Sequence, residues 1–317
     1  MGVNKDPRGL LLNGPLRLRR GGGIFEGTGS PKSGTYGTGL NEAGKGSLYY
    51  DYSNGAVWRN DGTITAPYWV PLSVGAGSPL WGIDTDFRDE VGKAHANTDA
   101  AAIVAGSGLR VFGQGVAETD SGAVASVGEG GPVMRLTTTD EVAHTVAIGT
   151  KAGVYQPDQH GLGIVDVEFT SVSAITLRGY GIGFVGLAAD AFDPPITAAT
   201  TVATLVQDDL ALIHQNVGYT DADRLYVAHN KSDAAADMTV VDSGVNLAAA
   251  GTYQRVRVEV DGADGTARFF VNKAQVAEVS EALDEDEEAS PVFYIESTST
   301  AVKAVDVRRF LFCASRP

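Results

Sequence analysis

The stretch that most constrains this chain lies near its C-terminus. Tyr253-Gln-Arg-Val-Arg-Val-Glu-Val260 alternates polar and apolar residues, then runs through Asp261-Gly-Ala-Asp-Gly265 into Thr266-Ala-Arg-Phe-Phe-Val-Asn272. A two-residue period puts Val256, Val258 and Val260 on one face of a strand and Arg255, Arg257 and Glu259 on the other. The Asp/Gly cluster supplies the positive φ that a tight hairpin requires. The pattern therefore predicts an antiparallel hairpin with one apolar and one wet face. Hairpins of this kind, repeated, build a β-sandwich rather than a parallel α/β enzyme.

Strand-like segments recur through most of residues 76–317: Val133–Thr138, Val142–Gly149, Gly163–Thr170, Arg178–Leu187, Ala211–Gln215, Arg224–His229, Gln275–Val279, Val292–Ser297 and Lys303–Phe312 join the hairpin. Only Arg88–His95 reads as a helical turn. The 40 glycines and single cysteine fit an all-β, turn-rich fold without a disulfide framework. Cys313, with no basic or histidine neighbour in sequence, is expected to pack as a small apolar side chain. No apolar run is long enough to span a bilayer, and residues 1–30 lack a signal-peptide layout. The expectation is a chain made in a cytoplasm with no membrane contact.

The net charge of −15 is unevenly placed, because residues 1–32 carry a basic excess (Lys5, Arg8, Arg17, Arg19, Arg20 and Lys32 against Asp6 and Glu26). The rest is strongly acidic, which disfavours nucleic acid as a partner. Residues 1–23 read as an extended arm in which Leu10, Leu11, Leu12, Leu16 and Leu18 interleave with Arg17, Arg19 and Arg20. It is too short to bury its leucines alone, so it is expected to dock on a partner's sheet edge. Residues 24–75 form a small β-module, with a hairpin around Ser53-Asn-Gly55 and a third strand at Tyr68–Leu72. Tyr49, Tyr50, Trp58, Tyr68 and Trp69 crowd this module, too many large rings for about fifty residues to bury, which predicts self-association through them.

Chemistry is sparse. Asp166 and Glu168 have the spacing of a paired-carboxylate site, yet alternation with Val165, Val167 and Phe169 assigns them to a solvated face. The acidic run Glu281–Glu288 has no glycine to bend it around a cation, and His95, His144, His160, His214 and His229 lack metal-ligand spacing. Gly181-Ile-Gly-Phe-Val-Gly186 matches a dinucleotide fingerprint but is followed by Asp193-Pro-Pro195 rather than a helix, so it reads as a glycine-rich strand. The sequence predicts no catalytic residues, no metal, no cofactor and no enzyme. Tyr155, Phe192, Tyr219 and Tyr226 are the aromatics available to a glycan-binding surface.

Two resemblances sharpen the reading. Gly27-Thr-Gly-Ser-Pro31, Gly46-Ser-Leu-Tyr-Tyr-Asp51, Asn54-Gly-Ala-Val-Trp58 and Trp69-Val-Pro-Leu72 together resemble the small β-modules of tailed-phage fibre and head-decoration proteins. That resemblance implies a homotrimeric virion protein on the outer capsid surface, attached through its N-terminal part to the major capsid protein and to copies of itself. The hairpin around Phe270–Val276 and the closing Val305-Asp-Val-Arg-Arg-Phe310 resemble concanavalin A-like jelly rolls, which implies two curved antiparallel sheets. The function expected is capsid decoration or a short head fibre. The alternative is a tail-associated spike that binds a host-surface glycan.

Overall fold

A computed structural model describes residues 4–6, 9–11, 16–17, 22–74, 80–87, 94–95, 102–103, 109–113, 122–128, 131–138, 145–150, 153–172, 178–186, 196–199, 202–205, 209–231, 239–298 and 302–315. The chain divides into two compact units, Met1–Leu80 and Trp81–Pro317. Gly23–Gly27 pairs in parallel with Leu48–Asp51, whereas the central strands of both large sheets pair antiparallel.

In the first unit Asn4–Asp6 pairs with Gly9–Leu11, and Leu16–Arg17 pairs with Gly23 and Ile24, so part of the expected arm is a strand of its own chain. Leu12, Leu18, Arg19 and Arg20 lie outside the described residues, as do the arm's side chains. A five-stranded sheet runs in the order Leu16–Arg17, Gly23–Gly27, Leu48–Asp51, Ala56–Asn60, Trp69–Pro71. Its turn at Gly55, with φ of 83°, sits where the Asn-Gly signal placed it.

The premise that this unit cannot bury its rings is overturned. Tyr49, Trp58, Tyr68 and Trp69 are all buried, and of the five rings only Tyr50 is exposed. The long loop between the first two full strands makes this possible by folding over the sheet's inner face. Trp69 packs on Phe25 and Tyr49 at centroid distances of 6.4 and 5.8 Å, and its Nε1 donates to the Thr38 carbonyl at 3.0 Å. Asn60 fastens the loops together, since its Oδ1 accepts from the Gly62 and Tyr68 amides, both at 2.8 Å. Wrapping by the loop does what a second copy was expected to do.

The second unit is the expected two-sheet sandwich. Nine strands form one sheet, whose central members are Gln254–Val260, Gly163–Ser171 and Ala304–Ser315. Eight form the other, centred on Ala289–Ser297, Arg178–Gly186 and Leu210–Asn216. The alternation that defined the strands also builds the core: Val165, Val167 and Phe169 meet Tyr180, Ile182 and Phe293, with Phe169 at 5.2 Å from Phe293 and 5.4 Å from Tyr180. Each such side chain contributes roughly 1.5–3 kcal/mol on burial. The helical turn expected at Arg88–His95 lies mostly outside the described residues, and Ala94–His95 is a strand paired with Val124 and Ala123.

The opposite face of the nine-stranded sheet is not wet, contrary to the alternation argument. Arg257 and Glu259 are each 0% exposed and Asp166 is 1% exposed. Asp166 takes two hydrogen bonds from Arg255, at 2.7 and 2.6 Å, and one from Arg257 Nε at 2.8 Å, while Arg257 Nη1 reaches Glu259 at 2.9 Å. Glu168, half-buried, accepts from Arg308 at 3.2 Å. The assignment of Asp166 and Glu168 to solvent is therefore wrong. Period-2 reasoning says which residues share a face and not whether that face meets water.

Candidate functional site

A break in strand alternation makes the site. Val305 and Val307 point into the core, and so do Phe310 and Phe312, which puts two residues rather than one between the pairs. The register confirms the bulge: Phe169 faces Val307 and Glu168 faces Arg309, leaving Arg308 outside the ladder. A bulge re-aims its extra side chain. Here the Arg308 guanidinium carbon lies 3.5 Å from the centroid of the Tyr253 ring. Cation–π attraction fixes that ring, and the ion pair with Glu168 fixes the guanidinium.

Beside this stack is a cavity of about 310 Å³, lined by Arg135, Thr170, Ser171, Val172, Ala250, Gly251, Tyr253 and Asp306. Arg135 and Asp306 face each other across neighbouring strands and form a bidentate pair, with Nε–Oδ1 at 2.7 Å and Nη2–Oδ2 at 2.9 Å. Thr170 and Ser171 end the central strand. The 249–252 turn is tied to them by the Gly251 amide, which donates to the Ser171 carbonyl at 3.0 Å. Gly251 has φ of 83°, so a side chain there would strain the turn. Burial pushes the Tyr253 phenol above its ordinary value despite the lowering pull of Arg308, so it is a neutral hydroxyl. The wall thus presents one fixed charge pair, one ring and, on the Asp306 side of the sheet, the Thr170 side chain.

A second polar cluster lies on the outer face of the eight-stranded sheet. Cross-strand pairing aligns Tyr226, His214, Gly181 and Tyr294 in one row, with Asn216, Gly179 and Glu296 in the next. The glycine-rich strand is what lets these side chains converge, because a Cβ on Gly181 would run into the Tyr294 ring. His214 Nδ1 is 2.9 Å from the Tyr219 hydroxyl, Tyr219 stacks on Tyr226 at 4.3 Å, and Asn216 Nδ2 donates to Glu296 at 3.3 Å. Burial lowers His214 to about 3 and raises Glu296 to about 7. His214, Tyr219, Tyr294 and Glu296 are all buried, so the cluster is packed.

Of the glycan-surface aromatics expected from sequence, Tyr155 is buried in the core, where its hydroxyl donates to the Gly161 carbonyl at 2.8 Å, and Tyr219 is buried beside His214. Tyr226 is half-exposed and Phe192 lies outside the described residues. The cavity residues Arg135, Ser171, Tyr253 and Asp306 were missed as a site. Their one sequence signal is the doubled step at Arg308-Arg309. Cys313 is buried and its thiol is pushed up to about 12, mainly by that burial.

No family profile and no curated sequence matches the chain. Among solved structures it is similar to a protein of unknown function from Shewanella oneidensis MR-1, at 10% identity and a TM-score of 0.48, over 75% of this chain and 87% of that one. It is similar to peanut lectin at 10% identity and a TM-score of 0.44, over 74% of this chain and 97% of the lectin. The carbohydrate recognition domain of Emp46p gives 7% identity and a TM-score of 0.41, over 64% of this chain and 87% of that domain.

Proposed function

We propose that the large unit is a non-catalytic glycan-binding module and that the Arg135–Asp306–Tyr253 cavity is where a sugar sits. The observation that carries this reading is the cavity's make-up. At about 310 Å³ it is at the small end of ligand pockets, and its polar groups are held in place before any ligand arrives. A planar guanidinium–carboxylate pair offers donors and acceptors side by side, the pattern that two neighbouring sugar hydroxyls need. The test is a glycan array followed by calorimetry with Arg135→Ala and Tyr253→Ala. Binding by the intact protein, lost in both variants while each still unfolds as a cooperatively folded protein, is the expected result. A protein that captures no glycan on the array refutes the reading.

A second reading, attachment to a virion surface as a decoration protein or short head fibre, is favoured by one observation on the small unit. The outer face of its five-stranded sheet aligns Glu26, Tyr50, Val57 and Leu72 in one row and Ile24, Leu48 and Arg59 in the next, and Ile24, Tyr50 and Leu72 are each more than two-fifths exposed. Apolar side chains gathered on one sheet face mark a contact surface. On this reading the small unit holds the particle and its own copies, and the large unit faces outward to meet a host glycan.

A further inference from the structure

We infer that Glu168 and Arg308 are positioning residues for the sugar site: they brace the Tyr253 ring on one side and so hold its other side ready for the C–H face of a pyranose. The inference rests on the glycan reading above and adds the residues that prepare the site and the part of the sugar that it grips.

Position along the strands separates brace from cavity. Phe169 faces Gln254, which sets Tyr253 beside Thr170 near the end of the central strand. Glu168 and the bulged Arg308 lie toward the middle of that strand, whereas Val172 and the 249–252 turn lie past its end. The Arg308 guanidinium carbon stands 3.5 Å from the ring centroid and therefore covers one face of the ring. Among the described residues the cavity is lined by Tyr253, Val172, Ala250 and Gly251 but not by Arg308 or Glu168. The cavity thus meets the ring from a side that the guanidinium leaves open.

The brace supplies order rather than contact. Tyr253 precedes the first residue of its strand, Gln254, so the ladder alone does not fix its ring. Arg308 lies against that ring, and its Nη1 donates to Glu168 at 3.2 Å, which fixes the guanidinium in turn. The two side chains are 34% and 31% exposed, so their ion pair adds little to global stability. Its effect falls on the ring. A side chain ordered before binding spares the complex the entropy of immobilising it, a factor of about two to ten in affinity.

The chemistry of the lining names the part of the sugar. Val172, which is 42% exposed, and Ala250 are apolar like the Tyr253 ring, whereas Arg135 and Asp306 are a fixed polar pair. A pyranose divides in the same way, with C–H bonds on its face and hydroxyls around its edge. Weakly positive C–H hydrogens suit the negative face of an aromatic ring. An open-chain polyol carries the same hydroxyls and no such face.

The experiment uses the full chain with carbon-13-labelled tyrosine rings, the Tyr253 signals being assigned from Tyr253→Phe. Ring signals are recorded without sugar for the parent, Arg308→Ala, Arg308→Lys and Glu168→Gln, and each protein is then titrated calorimetrically with the methyl glycosides of glucose, galactose and mannose and with glucitol and galactitol. The parent should bind at least one glycoside about threefold or more tighter than either alditol. Arg308→Ala should weaken that glycoside about two- to tenfold and broaden or average the Tyr253 ring signals while still unfolding cooperatively. Glu168→Gln should do the same to a smaller extent, and Arg308→Lys, which keeps a cation for the ring, should fall between Arg308→Ala and the parent. Unchanged glycoside affinity in both Arg308→Ala and Glu168→Gln overturns the positioning role and leaves the glycan reading standing. Weaker binding with the ring signals unmoved overturns it too, since the two residues would then act as ligand contacts. Alditols binding as well as glycosides remove the sugar's ring face from recognition. If no probe binds the parent, the ligand assigned here falls together with the glycan reading.

Discussion

At the scale of single residues, ionisable side chains that the sequence assigned to solvent turn out to be structural. Asp166 illustrates the balance: burial alone would raise its carboxyl, but Arg257 and Arg255 outweigh it and hold the group well below the usual carboxylate range. A lowered carboxylate contributes stability that is present above its unfolded value near 4 and is lost on acidification. Glu296 has the opposite sign. Its pKa of about 7 exceeds the ordinary 4.5 because burial penalises the charged form. The native state then binds its proton more tightly than the unfolded chain does, so this contribution is complete below about 4.5 and lost as pH rises through 7. Unfolding by urea at several pH values should therefore show Asp166→Asn less stable than the parent at neutral pH, by about 3–5 kcal/mol, because two guanidiniums, Arg255 and the fully buried Arg257, lose the carboxylate they share. Glu296→Gln should match the parent near pH 4 and exceed it at pH 8 by up to about 3 kcal/mol. A Glu296→Gln curve parallel to the parent's throughout would remove that carboxyl from the alkaline limb.

At the scale of strands and loops, what matters is which neighbour covers a face. Trp58 and Tyr50 lie on adjoining strands, with Tyr49 facing Trp58 and Tyr50 facing Val57, so the sheet sends them to opposite sides. Trp58 is 1% exposed and Tyr50 is 44% exposed. Trp58→Ala should cost about 3–5 kcal/mol in thermal or chemical unfolding, whereas Tyr50→Ala should cost less than about 1 kcal/mol. Equal losses would mean that Tyr50 too is covered in solution. The Arg308 bulge operates at the same scale. One extra residue in one strand turns a side chain out of the ladder and onto Tyr253, whose ring lines the cavity.

At the scale of the whole molecule, the acidic large unit and the exposed Ile24, Tyr50 and Leu72 of the small unit divide the labour proposed for the protein. Charge of one sign keeps copies apart in solution, while a sheet face bearing Ile24, Tyr50 and Leu72 favours association at that face alone. Light scattering at micromolar concentration should detect an assembly of the full chain, and the pair Tyr50→Glu with Leu72→Glu should yield monomers of unchanged fold. The same pair should lower occupancy on virus particles if attachment uses this face. A parent protein that is monomeric at that concentration rules out self-association through it.

Sequence by itself determined the strands, because alternation is a local property that survives any packing: eleven segments in the large unit read as strands are strands. The hairpins at Gly55 and Gly265 were legible for the same reason, since positive φ at each is a demand of the backbone and not of distant contacts. Burial of the second face was not legible. Whether Arg257 and Glu259 meet water depends on what lies over them, and that is a property of the folded chain. The same limit applied to the rings of the small unit, where the loop that covers Trp69 carries no hydrophobic pattern of its own. The cavity stood between these cases. The doubled step at Arg308-Arg309 was visible, but only the register of three strands could bring Arg135, Ser171, Tyr253 and Asp306 to one place. Their separations in sequence run to more than a hundred residues, and convergence over such lengths is decided by tertiary pairing, which no local period records.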